Sequence, residues 1–199
     1  MKIIGISGSP VKRGTYFLME EALDMAKERG IEIELVKLNE YDIKFCKGCN
    51  QCLKNKKCII EDDITIIAEK LIEADAIIIA SPSYFGSVTA IMKNFMDRSR
   101  YLKMNNHALK DKFLGAISSS GLNHGGGQNT IEAIHYFGLL HGMLIVGPVA
   151  RPETDANLVI GSMEKDEGWR NIKDDKKAVK LAQNLGQRLA AFILANKAW

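Results

Sequence analysis

The chain has 199 residues, 46% of them hydrophobic, and its 27 basic and 24 acidic side chains give a formal net charge of +3. That is ample apolar material for one packed domain over residues 1–199, and the mild charge, with no run of five like charges, excludes a basic nucleic-acid-binding arm. The longest apolar runs, Ala76–Ala80 and Leu189–Ala195, fall far short of the roughly 20 residues of a membrane helix.

The N-terminal MKIIGISGSP meets Gly and Ser too early for a signal peptide, so the expected location is the cytoplasm. Lys2–Ser7 (KIIGIS) is a short β-branched run, apolar in the way of a parallel strand buried on both faces. Apolar residues recur at helical spacing from Thr15 to Arg29, and Gly30 supplies a stop. Ile31–Leu38 alternates strictly and predicts a half-exposed edge strand. Asp62 or Asp63 caps a helix running to Glu73. Further strands are predicted at Ala76–Ala80, Phe113–Ser118 and Met143–Val146, with helices over Ser87 to about Arg100 and Gln128 to about Leu140. Residues 149–172 lack periodicity and read as a long irregular segment before a closing helix over Asp174–Ala195. Five strands alternating with five helices predict a doubly wound α/β sheet, whose ligand site lies beyond the carboxyl ends of the strands at the topological switch point.

Three loops fall at such strand ends. SGSPVKRGT, residues 7–15, offers the hydroxyls of Ser7, Ser9 and Thr15, backbone access at Gly8 and Gly14, and the amides of the next helix. That combination suits a phosphate. It matches neither G-x-G-x-x-G nor G-x-x-x-x-G-K-[ST], and it holds no cysteine, which disfavours a dinucleotide fold, a nucleotide triphosphatase and a cysteine phosphatase. SPSYFGSVTA, residues 81–90, sets Tyr84 and Phe85 beside Gly86 after a stiffening Pro82. A flat ring ligand wants such apolar walls with backbone amides at its edge. SSSGLNHGGGQNT, residues 118–130, carries three consecutive glycines, entropically costly for a mere connection. Of four histidines only His124, in this loop, falls within reach of a ring bound there; His107, His135 and His141 read as packing or surface residues.

All four cysteines lie in FCKGCNQCLKNKKC, at positions 46, 49, 52 and 58. A reducing compartment disfavours two disulfides, and a C-x-x-C redox pair uses only two of the thiols. Structural zinc generally takes two separated knuckles. The spacing approaches the ferredoxin-type C-x2-C-x2-C run, with Cys58 left to close the same site because no other cysteine exists. Lys44, Lys47, Lys54, Lys56 and Lys57 surround the motif, a charge that attracts an acidic electron-carrier protein.

GISGSP, SPSYFGSVTAIMKNFMDR and GGGQNT together resemble the NADPH-dependent FMN reductase family, a flavodoxin-like group, and C-x2-C-x2-C-x5-C narrows the likeness to its iron–sulfur flavoproteins. The resemblance implies strand order 2-1-3-4-5, with the cysteine-rich loop (residues 45–61) after strand 2. It implies one FMN and one 4Fe-4S cluster per subunit, and Cys46, Cys49, Cys52 and Cys58 as the cluster ligands. Ser9, Lys12, Gly14 and Thr15, with Pro10 in the same loop, would hold the FMN phosphate. Pro82, Ser83, Tyr84, Phe85 and Gly86 would line the isoalloxazine, and Ser119, Gly121 and Gly126 would complete the pocket. Family members usually show Gly-Ser-Pro-Arg and an Asn before the Ser or Thr. Here Val11 replaces that Arg, the Asn is lacking and the loop is one residue shorter, which leaves Lys12 or Arg13 to supply the charge.

Such a protein transfers electrons from a ferredoxin-like donor to an acceptor through FMN, with no side chain assigned as a general acid or base. An NAD(P)H-dependent FMN or quinone reductase is the alternative, and a zinc-stabilised binding module on the same scaffold a second. A cluster on edge strand 2 and a flavin over strands 3 and 4 would lie about 10–15 Å apart laterally at roughly 4.8 Å per strand. The expected arrangement is therefore a homo-oligomer, dimer or tetramer, in which the cluster faces a neighbouring subunit's FMN.

Overall fold

The computed structural model describes residues 1–196. Strands β1 (Lys2–Ser7), β2 (Glu32–Lys37), β3 (Ala76–Pro82), β4 (Phe113–Ser120), β5 (Leu144–Ile145) and β6 (Val159–Ser162) form one parallel sheet. Its order is β2-β1-β3-β4-β5, with β6 also on β4. The helices are α1 (Gly14–Lys27), α2 (Gln51–Asn55), α3 (Ile64–Glu73), α4 (Ala90–Arg98), α5 (Arg100–Met104), α6 (Gly127–His141) and α7 (Lys176–Asn196).

β1 and β3 are β-branched runs because both of their faces are covered. Ile4, Ile6, Ile77 and Ile79 point into a core shared with α3, α4 and α6. Ile3, Ala76, Ile78 and Ala80 point the other way, against α1 and α7. β2 is the edge: Glu34 pairs with Lys2 at 2.6 Å and with Lys70, so its carboxylate serves the rim rather than the core. α7 lies across α1 at their closest approach through Gly186, where a Cβ would meet the Ala22 carbonyl oxygen at 1.8 Å.

The strand order is the one expected, but three local features differ from the sequence reading. The segment 149–172 is not irregular throughout. β5 pairs only with Phe113 and Leu114, and β6 then takes the same side of β4 opposite Ile117–Ser120. The fifth sheet position is thus filled by two short strands, because the exposed backbone of upper β4 needs a partner. Asp155 holds the connection between them, accepting the amides of Ala150 and Arg151 and bonds from Lys180 and Asn184.

The helix expected from Ser87 starts later. Thr89 is its N-cap, taking the Met92 amide on its hydroxyl, and the helix breaks at Ser99 into α4 and α5. Ser99 turns its hydroxyl to the Met96 carbonyl and to His141 Nε2, 2.9 Å away. The cysteine motif, finally, contains the single helical turn α2, flanked by Asn50 and Lys56 in the left-handed region.

His141 is 4% exposed, and its Nδ1 has no partner among the described residues. Burial, with the charges of Lys103 and His107, pushes its pKa down to about 4.

Two outcomes follow from this packing. Gly186→Ala should destabilise the chain by about 3 kcal/mol, read as a lowered urea midpoint, because the clash is with backbone. His141 stays neutral in the fold but protonates near pH 6.5 when unfolded, so the unfolded chain binds the extra proton and stability falls as pH drops from 6.5 toward 4. Between pH 7 and pH 5 this residue should cost about 2 kcal/mol. His141→Gln should remove most of that loss; an unchanged pH sensitivity of the urea midpoint would refute it.

Candidate functional site

The loops after β1, β3 and β4 meet at the carboxyl ends of the strands, and hydrogen bonds lock them together. The Gly8 amide donates to the Ala80 carbonyl at 2.8 Å, and the Thr89 hydroxyl donates to the Gly8 carbonyl at 2.7 Å. The Ser83 amide donates to the Ser119 carbonyl, and the Ser83 hydroxyl to the Gly125 carbonyl. Thr15 and Ser119 share a hydroxyl–hydroxyl bond. Gly126, at φ +79°, lies so close to Gly86 that a Cβ would sit 2.4 Å from the Gly86 Cα. Its glycine is required by loop-on-loop contact.

These bonds bring Ser9, Gly14, Thr15, Pro82, Ser83, Tyr84, Ser119 and Gly121 around one cavity of about 160 Å³, with Arg13, Met163 and Ile172. A hollow of about 590 Å³ adjoins it and shares Arg13, Gly14, Met163 and Ile172. Pro10, Lys12, Phe85, Gly86 and Gly126 do not line the smaller cavity. Phe85 is wholly exposed at φ +49°, and His124 is also exposed. Lys12 points to Glu20 at 3.5 Å and over the Tyr16 ring at 4.8 Å. Arg13 is therefore the cation at the cavity. It stands at the N-terminus of α1, whose first turn has no acidic residue and no side-chain cap. First-turn amides and one guanidinium are donors that suit a phosphate; the Ser9 hydroxyl is already given to the Val11 carbonyl at 2.7 Å, and Thr15 and Ser119 bond each other. Met163 and Ile172 come from the segment after β6, and nothing in the sequence marked them as lining residues.

The second site is the cysteine motif. Cys46, Cys49, Cys52 and Cys58 are all free thiols, and all four line one small cavity with Gly48, Asn50, Arg98, Arg100 and Tyr101. Among the described residues no three His, Cys, Asp or Glu side chains are drawn close enough to hold a single metal ion. The motif does not stay at the β2 edge. It leans on α4 and α5, where Asn94 donates to the Ile43 carbonyl and Arg100 to the Asn50 side chain. Arg98 and Asp62 make an ion pair whose side chains are 1% and 0% exposed.

Burial alone would raise the Asp62 carboxyl; the Arg98 guanidinium and the amides of Lys44 and Ile64 outweigh it and hold the pKa below the ordinary value. Burial pushes the Tyr101 phenol up to about 12. Arg98 escaped the sequence reading because a basic residue in a helix's last turn looks like an ordinary dipole partner. Lys44, Lys47, Lys54, Lys56 and Lys57 are all exposed around the motif.

A family model described as NADPH-dependent FMN reductase matches residues 1–154. The chain belongs to the NADPH-dependent FMN reductase family. It is thereby a flavin-dependent oxidoreductase. An iron–sulfur flavoprotein of Archaeoglobus fulgidus is 41% identical over 197 residues, 99% of this chain and 98% of the relative. One of Methanocaldococcus jannaschii is 40% identical over 97% of each chain. Among solved structures, a flavone reductase superposes with a TM-score of 0.74 at 20% identity, over 99% of this chain and 64% of that one. A WrbA-like flavodoxin from Agrobacterium tumefaciens gives 0.61 at 20% identity, over 98% and 97%. These two share the fold. Among the described residues no helix is long and apolar enough to cross a membrane.

Arg13→Gln should weaken FMN binding about tenfold, near 1.4 kcal/mol, while Lys12→Gln changes it less than threefold. Fluorescence titration of the flavin-free protein with FMN checks both, and riboflavin, lacking the phosphate, should bind both variants as it binds the parent.

Proposed function

We propose that this chain is an electron-transfer flavoprotein with one FMN and one 4Fe-4S cluster, taking electrons from a ferredoxin-like protein and passing them through FMN to an acceptor. The observation that carries this reading is the gathering of four free thiols around one cavity, in a chain whose strand-end loops line a second cavity. The two archaeal relatives are named iron–sulfur flavoproteins, which supports the same pairing. When bound, the cluster supplies one-electron chemistry and FMN supplies one- and two-electron chemistry.

The chain's own residues do the rest. Arg13, Ser9, Thr15 and the α1 amides hold the phosphate, with Lys12 as a second-line charge. Pro82, Ser83 and Tyr84 wall the ring, Gly86 and the exposed Phe85 form the outer end of that loop, and Ser119 and Gly121 close the far side. Gly126 keeps the two loops in contact. Cys46, Cys49, Cys52 and Cys58 ligate the cluster. Their free state suits a reducing cytoplasm, and the five exposed lysines suit an acidic donor.

A dimer or tetramer belongs to this reading. Helix α4 runs back from the strand ends, so its nine residues put Arg98 about 13 Å from Thr89 along the axis. Phe45, Leu53 and Ile59 are exposed beside the cysteines, an apolar rim that suits a neighbouring subunit bringing its FMN closer.

The family description also favours a second reading, in which NAD(P)H reduces the flavin directly. Rapid mixing separates the two. Reduced ferredoxin should reduce the bound flavin at least about tenfold faster than NADPH at equal concentration, and that rate should fall steeply between low and physiological salt. Faster reduction by NADPH, insensitive to salt, would replace the first reading with the second.

A further inference from the structure

A buried arginine closes the end of α4 beside the cysteine motif. Arg98 Nη1 donates to the Lys44 carbonyl and to Asp62 Oδ2. Its Nη2 donates to Asp62 Oδ1 at 3.0 Å, to the Ile60 carbonyl at 3.5 Å and to Cys58 Sγ at 3.5 Å. Lys44 stands two residues before the first cysteine, and Ile60 two residues after the last. One guanidinium thus ties both ends of the motif together and turns an N–H toward the sulfur of the closing thiol. Its Nε is buried with no partner among the described residues, a donor left over in a side chain that lines the cysteine cavity.

The four N–H groups of the two Nη nitrogens face these five acceptors, so at least one N–H on Nη2 is shared, and only a planar guanidinium presents that many donors in one place. A lysine would keep the charge but not the bonds. Fully satisfying Asp62 does not need the contact with Cys58, since that carboxylate already takes Arg98, the Lys44 amide and the Ile64 amide. The sulfur contact therefore asks for its own account.

We propose that Arg98 is a positioning residue that fixes Cys58 and, through its N–H···S hydrogen bond, raises the reduction potential of the cluster; this rests on the reading that the four cysteines hold one. A cluster gains one negative charge on reduction, and a hydrogen bond to a ligand sulfur stabilises that form more than the oxidised one. Asp62 works in the opposite sense, because its negative charge offsets the guanidinium beside the same thiol. The pair acts as a fixed electrostatic setting built into the end of α4.

The test compares Arg98→Lys and Asp62→Asn with the parent after anaerobic purification. Iron and acid-labile sulfide are counted, and the cluster midpoint is read by redox titration followed by electron paramagnetic resonance, with the FMN midpoints in the same sample as internal reference. Arg98→Lys should shift the one-electron equilibrium about tenfold toward the oxidised cluster, 59 mV lower. Asp62→Asn should move it the other way, and the FMN midpoints should stay put. Loaded variants with unchanged cluster midpoints, or shifts of the same sign, would overturn the proposal. If Arg98→Lys loses its iron, the upward shift in Asp62→Asn decides alone. Loss of iron from both, with flavin retained, would leave Arg98 a structural prop and overturn its role in the potential. A parent without iron would instead defeat the cluster reading itself.

Discussion

The buried Arg98–Asp62 pair is the constraint on which the cysteine site depends. Without it, residues 43–61 would be a polar, lysine-rich loop with one helical turn and few apolar contacts. Such a segment cannot offset its own ordering entropy, on the order of 1–2 kcal/mol per residue. The pair supplies what the core does not. It joins the loop's two ends, satisfies the carbonyls of Lys44 and Ile60, and seats both on a helix that is itself anchored. Removing one partner of such a pair costs about 3–5 kcal/mol, because the other is left buried and charged. That cost makes the geometry around Cys58 a fixed property of the fold.

Helix α4 carries this order to the strand ends. Its first turn is capped by Thr89, which also binds Gly8 and Ser81. Its last residue is Arg98. The same short rod therefore touches the loop after β1 at one end and the cysteine motif at the other. Strand β3 fixes the rod's starting point, since Ala80 bonds Gly8 and Pro82 pairs with Ser119 in register. One short helix thus contacts both sites within a single sheet domain.

Much of this was legible in the sequence. The runs KIIGIS and AIIIA, the alternation of IEIELVKL and the glycine stop at position 30 specify three strands and a helix by local pattern alone. The order 2-1-3-4-5 came from resemblance, and the register agrees with it. Other features depend on distant partners. VIGS at 159–162 has too few apolar residues to announce a strand and exists because upper β4 presents an unpaired edge. QCLKN is too short for a periodic signal. Arg98 meets Asp62 across 36 positions, a pairing that no window of sequence reveals. In the phosphate loop the choice between Lys12 and Arg13 was open because both are flexible cations. Lys12 turns to Glu20 and the Tyr16 ring and lines only the adjoining hollow, whereas Arg13 lines both the hollow and the smaller cavity.

In the proposed function, one chain joins a flavin at the strand ends to a four-thiolate cluster at the end of α4. The visible spectrum of anaerobically purified protein, with flavin, iron, sulfide and zinc analysis on the same sample, tests it most directly. The account predicts about one FMN, about four irons and about four sulfides per chain. Zinc without iron, and no flavin absorbance, would contradict it.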